Sequence, residues 1–531
     1  MRVQALALAL VQAGVACAQA YADNQLSLQQ DPPLVDALFP DVPDIELLSP
    51  AFADPSSVPD SFAAGTSGPT DIAVLDKFLQ DIASRHAWAT YDNALESEEL
   101  RPIPYLRLSS SSSNCTAGQK VRIWLQGGVH GNEPGGDQAL LALLGLFDAN
   151  STYTEHLLAK TEIVVLPRYN PDGVAYFQRA YASNFDPNRD QAVLKSRQSR
   201  DVKRVLSAFD PHVFLDAHEY TGGQRLGAAG NLRKAQDGQI SNVKNPNIHE
   251  SIRALGEGLF ASSITATLEG HGLRTSPYFT APGGTDNLVL TEPSSVSRPN
   301  HNNAGLLQAV AFLSETRGIR QGAQHFQRRV TAGLLVAQTI VETAAENARE
   351  VLDTIESGRA AFIESTDDII VNDTARVHET TWEFINAQDG TLVHLPVTFH
   401  NSTPTIPDLT RARPEAYVFP RAFSEVAERL RVSGVEVEEL TEPFDGEVEV
   451  LRVTRATVDS AKYEGIAETN VETEPFRKRV RIPAGGYRVS TRQKNAAFAL
   501  VTLEPENRSS YARYNLVDLV RGAEYPIFRV L

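Results

Sequence analysis

The sequence predicts an α/β domain, a mixed, mostly parallel sheet flanked by helices, followed by a C-terminal mainly β domain. Three observations carry this reading. From residue 70 to 345, short apolar β-rich runs alternate with helix-patterned segments, the order that builds a sheet covered on its faces. Residues 328 to 362 then form a long amphipathic helical stretch. From residue 368 to 531 the pattern changes to short β-rich runs split by turn residues.

Taken in order, the chain opens on "MRVQALALALVQAGVACAQAYAD". Arg2 is followed by an apolar run from Ala5 to Ala16 and by small-x-small patterns ending at Ala20 and Ala22. This is the pattern of a secretory signal peptide over residues 1–22. The run is shorter than the roughly 20 residues a membrane span needs. The expected location is therefore secreted and extracellular, with no membrane partner. Cys17 leaves with the leader, so the mature chain keeps Cys115 alone and forms no intramolecular disulfide. Residues 23–69 are rich in Pro, Asp, Ser and Ala and show no sustained period, which reads as an extended or partly disordered segment.

Within 70–345, "TDIAVLDKFLQDIASRH" has helical spacing. "KVRIWLQGG", "EIVVLPRYN" and "PHVFLDAHEY" read as buried strands, and "GGDQALLALLGLFDAN" as an apolar helix. "AGLLQAVAFLSETRG" runs from a helix into a strand-like end. Residues 346–367 read as a helical linker. In 368–531, "TTWEFI", "TLVHLPVTFH", "VEVLRVTRATV", "KRVRIPAGGYRVS" and "NAAFALVTLEP" read as β runs, with a helix near "SEVAERLRVSG".

With 49 Lys+Arg against 66 Asp+Glu the net charge is -17, which excludes the basic footprint of a nucleic-acid binder. Sequons stand at Asn114, Asn150, Asn372, Asn401 and Asn507, marking surface sites of a glycoprotein in a eukaryotic host.

The chemistry starts in "WLQGGVHGNEPGG", where His130 and Glu133 stand three apart in a glycine-rich turn. H-x-x-E alone is common by chance. A catalytic zinc needs three protein ligands and an open position. His218, at the end of the apolar strand in "FLDAHEY", can supply the third, because clefts in open α/β sheets lie at the carboxyl ends of strands.

Further along stand "RYNPDG" (168–173), "FDPNRD" (185–190), "YFTAPGGTD" (278–286) and "FLSETRG" (312–318), in that order. The ordered set over about residues 70–320 resembles the zinc carboxypeptidase family, of the carboxypeptidase A type. "DAHEY" and "ETRG" are similar to a large secreted subgroup with a C-terminal β domain. The resemblance implies one zinc per chain, held by His130, Glu133 and His218, with Glu315 as general base acting on zinc-bound water. It implies that Arg179 stabilises the oxyanion, that Asn188 and Arg189 clamp the substrate's terminal carboxylate, and that Tyr278 closes over the substrate. Tyr220, two residues after His218, points to the same side of its strand and is expected to line a subsite. Asp172 and Gly173 read as turn formers. Thr285 and Asp286 fall in the region expected to select the terminal side chain.

The chain departs from the family pattern at Asn132, Glu219 and Asp190. The expected function is a secreted zinc metallocarboxypeptidase acting on peptides. One alternative is a zinc amidohydrolase taking small carboxylate-bearing N-acyl amino acids, a branch that the "HE" of His218 and Glu219 resembles. The other is a catalytically silent binding protein on the same fold.

Overall fold

The computed structural model describes residues 26–110 and 120–531. The expected leader over residues 1–22, the sequon at Asn114 and Cys115 lie outside the described residues. The first strands are β1 (Ala89–Asp92), β2 (Tyr105–Leu108), β3 (Val121–Gly127), β4 (Thr161–Leu166) and β5 (Val213–Tyr220). They are followed by β6 (Leu232–Lys234), β7 (Gly238–Asn242), β8 (Thr275–Pro277), β9 (Val289–Thr291) and β10 (Val310–Arg317). All except β6 and β9 form one sheet, in the order β1-β2-β4-β3-β5-β10-β7-β8.

β4, β3, β5 and β10 run parallel at its centre, while β7 is antiparallel to β10 and β2 is antiparallel to β4. Every residue of β5 and β10 is buried. Strands covered on both faces are chosen for continuous apolar runs rather than alternation, which is how both read in the sequence. Helix Pro134–Ala149 and helix Phe326–Glu346 pack together over one face. Their contact is close enough that a Cβ on Gly333 would lie 2.8 Å from Ala139 Cβ.

The helical stretch expected over 328–362 is two helices, Phe326–Glu346 and Ala348–Glu364. They part at Asn347, whose side-chain amide donates to the carbonyl of Thr343 at 2.9 Å. Asn competes with the helical backbone in this way. The second helix, expected as a linker, packs onto the α/β body: a Cβ on Gly358 would lie 3.0 Å from Ile252. The strand-like end of "AGLLQAVAFLSETRG" is β10, and its helical part stops at Gly305.

The segment expected to be extended or partly disordered is instead a strap of short helices, among them Pro33–Asp36, Pro50–Ala53 and Asp60–Ala63. Single side chains anchor it, which a search for periodicity does not register. Val35, Phe39 and Phe62 are buried. Asp31 pairs with Arg317 at 2.6 Å, and the backbone N–H of Val42 donates to Gln327 at 2.8 Å.

The C-terminal region enters the fold through two long hairpins. β11 (Ile369–Asn386) and β12 (Thr391–Arg411) form a sheet ordered β6-β11-β12-β9, so both outer strands come from the α/β part of the chain. The other sheet comprises β13 (Ala416–Phe419), β14 (Glu438–Glu439), β15 (Phe444–Val458), β16 (Thr469–Ile482), β17 (Tyr487–Ser490) and β18 (Phe528–Val530). The expected helix is Ser424–Val432.

"NAAFALVTLEP" is a correction: Ala496–Leu503 is a fully buried α-helix, not a strand. A short, unbroken apolar run has no period to tell the two apart. One contiguous set of buried apolar residues includes Trp124, Phe312, Tyr417 and Phe498, so the two parts share their core. No helix among the described residues is long and apolar enough to cross a membrane.

Candidate active site

The turn carrying His130 and Glu133 follows β3 at the carboxyl edge of the sheet. Its middle residue must be glycine: a Cβ on Gly131 would lie 1.8 Å from the carbonyl carbon of Gly173. Gly173 sits in helix Pro171–Tyr176, so the H-x-x-E turn and the N-P-D-G turn are packed backbone to backbone. Asn170 fixes that contact. Its Oδ1 accepts from the Gly173 N–H at 2.8 Å, and its Nδ2 donates to the carbonyls of Val129 (3.3 Å) and Ala180 (3.1 Å). Glu133 is the residue just before helix Pro134–Ala149, with proline at the first helical position, where its missing N–H costs nothing.

His218 lies near the end of β5 and meets the turn. Nδ1 of His130 is 2.7 Å from Glu133 Oε1, and Nδ1 of His218 is 2.9 Å from Glu133 Oε2. One donor atom from each of the three lies within 4.8 Å of the others, and all three residues are buried. The remaining ring nitrogens face carboxylates. His218 Nε2 is 2.8 Å from Asp216 Oδ2, and His130 Nε2 is 3.3 Å from Asp186 Oδ1. Burial opposes ionisation of Glu133, yet His130 and His218 hold it well below the usual carboxylate range.

Glu315 stands directly beside His218 across the parallel pair β5–β10. Burial, and then the charge of Glu133, push its carboxyl up to about 8. A cavity of about 690 Å³ opens here, lined by His130, Glu315, Asn188, Arg189, Tyr278 and Tyr220 among others. Arg179, also on its wall, places Nη1 3.3 Å from Glu133 Oε1 and donates from Nε to Asp186 at 2.9 Å.

Asn188 Nδ2 lies 3.3 Å from His218 Nε2, while its Oδ1 accepts from the backbone N–H of Asn300 at 2.8 Å. Arg189 donates to the hydroxyl of Tyr463 at 2.7 Å. Tyr220 presents its ring to the cavity and gives its hydroxyl to the carbonyl of Gln236. Tyr278 is half-buried there.

Residues 75–223 match the family model described as zinc carboxypeptidase. The chain is 44% identical over 523 residues to "Carboxypeptidase 2" of Trichophyton equinum, covering 97% of each chain. It is 44% identical over 514 residues to the protein of the same name from Trichophyton rubrum, covering 96% of each. The chain belongs to the zinc carboxypeptidase family. Among solved structures, a metallo-carboxypeptidase from Burkholderia cenocepacia aligns over 51% of this chain and 68% of its own, with 15% identity and a TM-score of 0.39.

The donor set of this zinc carboxypeptidase fits the metal its family is named for. Two imidazole nitrogens and a carboxylate are a ligand set of hydrolytic zinc. Asp216 and Asp186 hold the outer nitrogens of the two histidines, the support that metal-bound imidazoles ordinarily receive. Glu133 and Asp186 pair with Arg179, and Asp216 lies buried beside His218, an excess of buried carboxylates that a divalent cation offsets.

One expectation is corrected. Thr285 and Asp286 are not among the residues lining the cavity, and Asp286 is exposed. Thr280, Ala281, Ser294 and Val296 stand on its wall instead. Arg189 pairs with neither Asp186 nor Asp190, because Asp190 is turned inward to the backbone N–H groups of Lys195 and Ser196. Asp172 ties down Ser97, Glu99 and Arg101, as suits a turn former. Of the described sequons, Asn150 is exposed, whereas Asn507 is buried with its amide bound to the carbonyl of Val371.

Four residues at the site were not picked out from sequence. Asp216 had a signal, since it stands two before His218 on the same strand face. Lys234, His301 and Tyr463 had none. His301 is buried, and neither ring nitrogen has a hydrogen-bond partner among the described residues; burial pushes it down to about 3, so it is neutral.

Proposed function

We propose that the chain is a secreted, zinc-dependent metallocarboxypeptidase that releases C-terminal residues from peptides, with Glu315 as general base. The observation that carries the reading is the register of His218 with Glu315 on adjacent parallel strands, with Glu315 and His130 at the cavity that Asn188 and Arg189 also line. His130, Glu133 and His218 would hold the zinc. When bound there it supplies a Lewis acid for the scissile carbonyl and acidifies water.

The chain's own residues do the rest. Arg189 and Asn188 hold the terminal carboxylate, for which a guanidinium offers paired donors. Arg179 brings positive charge to where the oxyanion develops. Glu315 takes a proton from the attacking water and returns it to the leaving amine. A carboxyl held up near neutrality by burial suits a group that must both accept and release a proton, and a cation beside Glu133 opposes the upward shift. Tyr278 covers the bound peptide. The leader at residues 1–22 supports export, and Asn150 is the sequon most open to glycosylation.

The test is metal analysis joined to an assay. Purified protein is expected to carry about one zinc per chain and to release residues from peptides with a free C-terminus but not from the same peptides amidated. A chelator stops the release and zinc restores it. Protein without zinc, or equal cleavage of the amidated peptides, contradicts the reading. Release from small N-acyl amino acids alone points to an amidohydrolase.

A further inference from the structure

The cavity beside Glu315 holds a buried charge for which the proposed reaction has no use. Lys234 ends β6 and is held there by the C-terminal hairpin, paired with Phe384 of β11. Its residue is 3% exposed, and it lines the same cavity as Tyr278 and Glu315. The ammonium donates to the carbonyl of Phe279 at 2.7 Å and to Gln239 Oε1 at 3.2 Å. Gln239 is in register with Glu315 on the side away from His218. The rings of Phe279, Tyr220 and Tyr278 surround the nitrogen at 4.2, 4.7 and 5.6 Å.

Of the other charges on the cavity wall, Arg189 and Arg320 form no ion pair among the described residues and donate to a hydroxyl and to backbone carbonyls, while the others named here are matched. Arg298 pairs with Glu468 at 2.7 Å, Arg179 with Asp186 at 2.9 Å, Glu292 with Lys244 at 3.3 Å and Glu219 with Arg329 at 3.2 Å. Lys234 forms no ion pair among the described residues, and the acid that acts on it is Glu315. Burial pushes it down to about 7. A cation buried without a counter-charge is costly. Its two acceptors leave the third hydrogen of the ammonium for a ligand.

We propose that Lys234 determines specificity by receiving a side-chain carboxylate of the substrate, so that the preferred substrates are peptides with Glu or Asp beside the scissile bond. This rests on reading the cavity as the carboxypeptidase cleft. Arg189 then takes the terminal carboxylate and Lys234 the side-chain one.

The test compares acetyl-Ala-Glu and acetyl-Glu-Ala with their glutamine counterparts, which have the same shape without the charge. The kcat/KM for one glutamate peptide is expected to exceed that of its glutamine partner by about tenfold or more, the scale of a charge-assisted hydrogen bond in a dry site. Lys234→Met is expected to erase the difference between the glutamate peptide and its glutamine partner. Calorimetric binding of the four peptides to Glu315→Gln reads the same preference without turnover. Failure to hydrolyse any peptide would therefore count against the proposed reaction, while the binding ranking still decides on Lys234. Equal treatment of glutamate and glutamine by the wild-type chain overturns the proposal, and that comparison needs no variant to fold. An equal drop for all four peptides in Lys234→Met also overturns it, since that is the mark of a residue serving Glu315.

Discussion

The hydroxyl of Tyr463 accepts a hydrogen bond from Arg189 Nε at 2.7 Å, joining the loop between β15 and β16 to the arginine proposed to clamp the substrate. Beside it, Glu464 accepts from the backbone N–H of Asp186 at 2.9 Å, and Arg298 lies 4.6 Å above the Tyr463 ring. The C-terminal β region thus supplies part of the cavity wall. A hydrogen bond to a charged group contributes roughly 1.5 kcal/mol, about tenfold in binding. Tyr463→Phe is therefore expected to raise KM by up to about that factor with kcat little changed. Steady-state kinetics on a free-C-terminus peptide check this, and a fall in kcat alone would contradict it.

The N-terminal strap is fastened by Asp31, which pairs with Arg317 two residues beyond Glu315 and accepts from Gln321 at 2.7 Å. Burial opposes its ionisation, but His325 and Arg317 hold it well below the usual carboxylate range. A carboxylate with a depressed folded pKa contributes stability that is present above its unfolded value, about 4, and lost as pH falls below it. Denaturant unfolding is expected to show Asp31→Asn losing about 3 kcal/mol at pH 7, because Arg317 is left buried and unpaired. The gap between variant and wild type narrows as pH falls below about 4, because the unfolded carboxyl takes its proton there while the folded one does so only at lower pH.

Gly131 is fixed by contact rather than by its dihedral angles. A Cβ there would sit 1.8 Å from Gly173. Gly131→Ala is expected to force the H-x-x-E turn off the N-P-D-G turn and to lower zinc content together with thermal stability. Full zinc occupancy at unchanged melting temperature would contradict the packing argument.

Asp216 holds His218 at 2.8 Å, on the ring nitrogen away from Glu133. Losing such a partner typically weakens a metal site 10- to about 100-fold. Asp216→Asn is expected to do so in competition with a chromophoric chelator, while the fold, read by circular dichroism, stays intact.

Much of the site could be read from sequence because its chemistry sits in short local patterns. His130 and Glu133 share one turn, Asn188 and Arg189 are adjacent, and strand parity puts Tyr220 on the face of His218. What could not be read is set by pairing between distant segments. Lys234 reaches the cavity only because Phe384 pairs with it, and Tyr463 only because a hairpin folds back over Arg189. Asp286 was misplaced because loop residues carry no period to say which way they face. Ala496–Leu503 was misread because a buried helix this short looks like a buried strand. The strap failed a periodicity search because Asp31, Phe39 and Phe62 each anchor it singly.

The central claim is that Glu315 moves the proton at a zinc site built by His130, Glu133 and His218. Single-turnover hydrolysis by Glu315→Gln, with zinc content measured on the same sample, tests it most directly. The account predicts unchanged zinc and a rate lower by about 10²–10⁴, the range of general acid–base catalysis. A variant that keeps both its zinc and its rate would contradict the account.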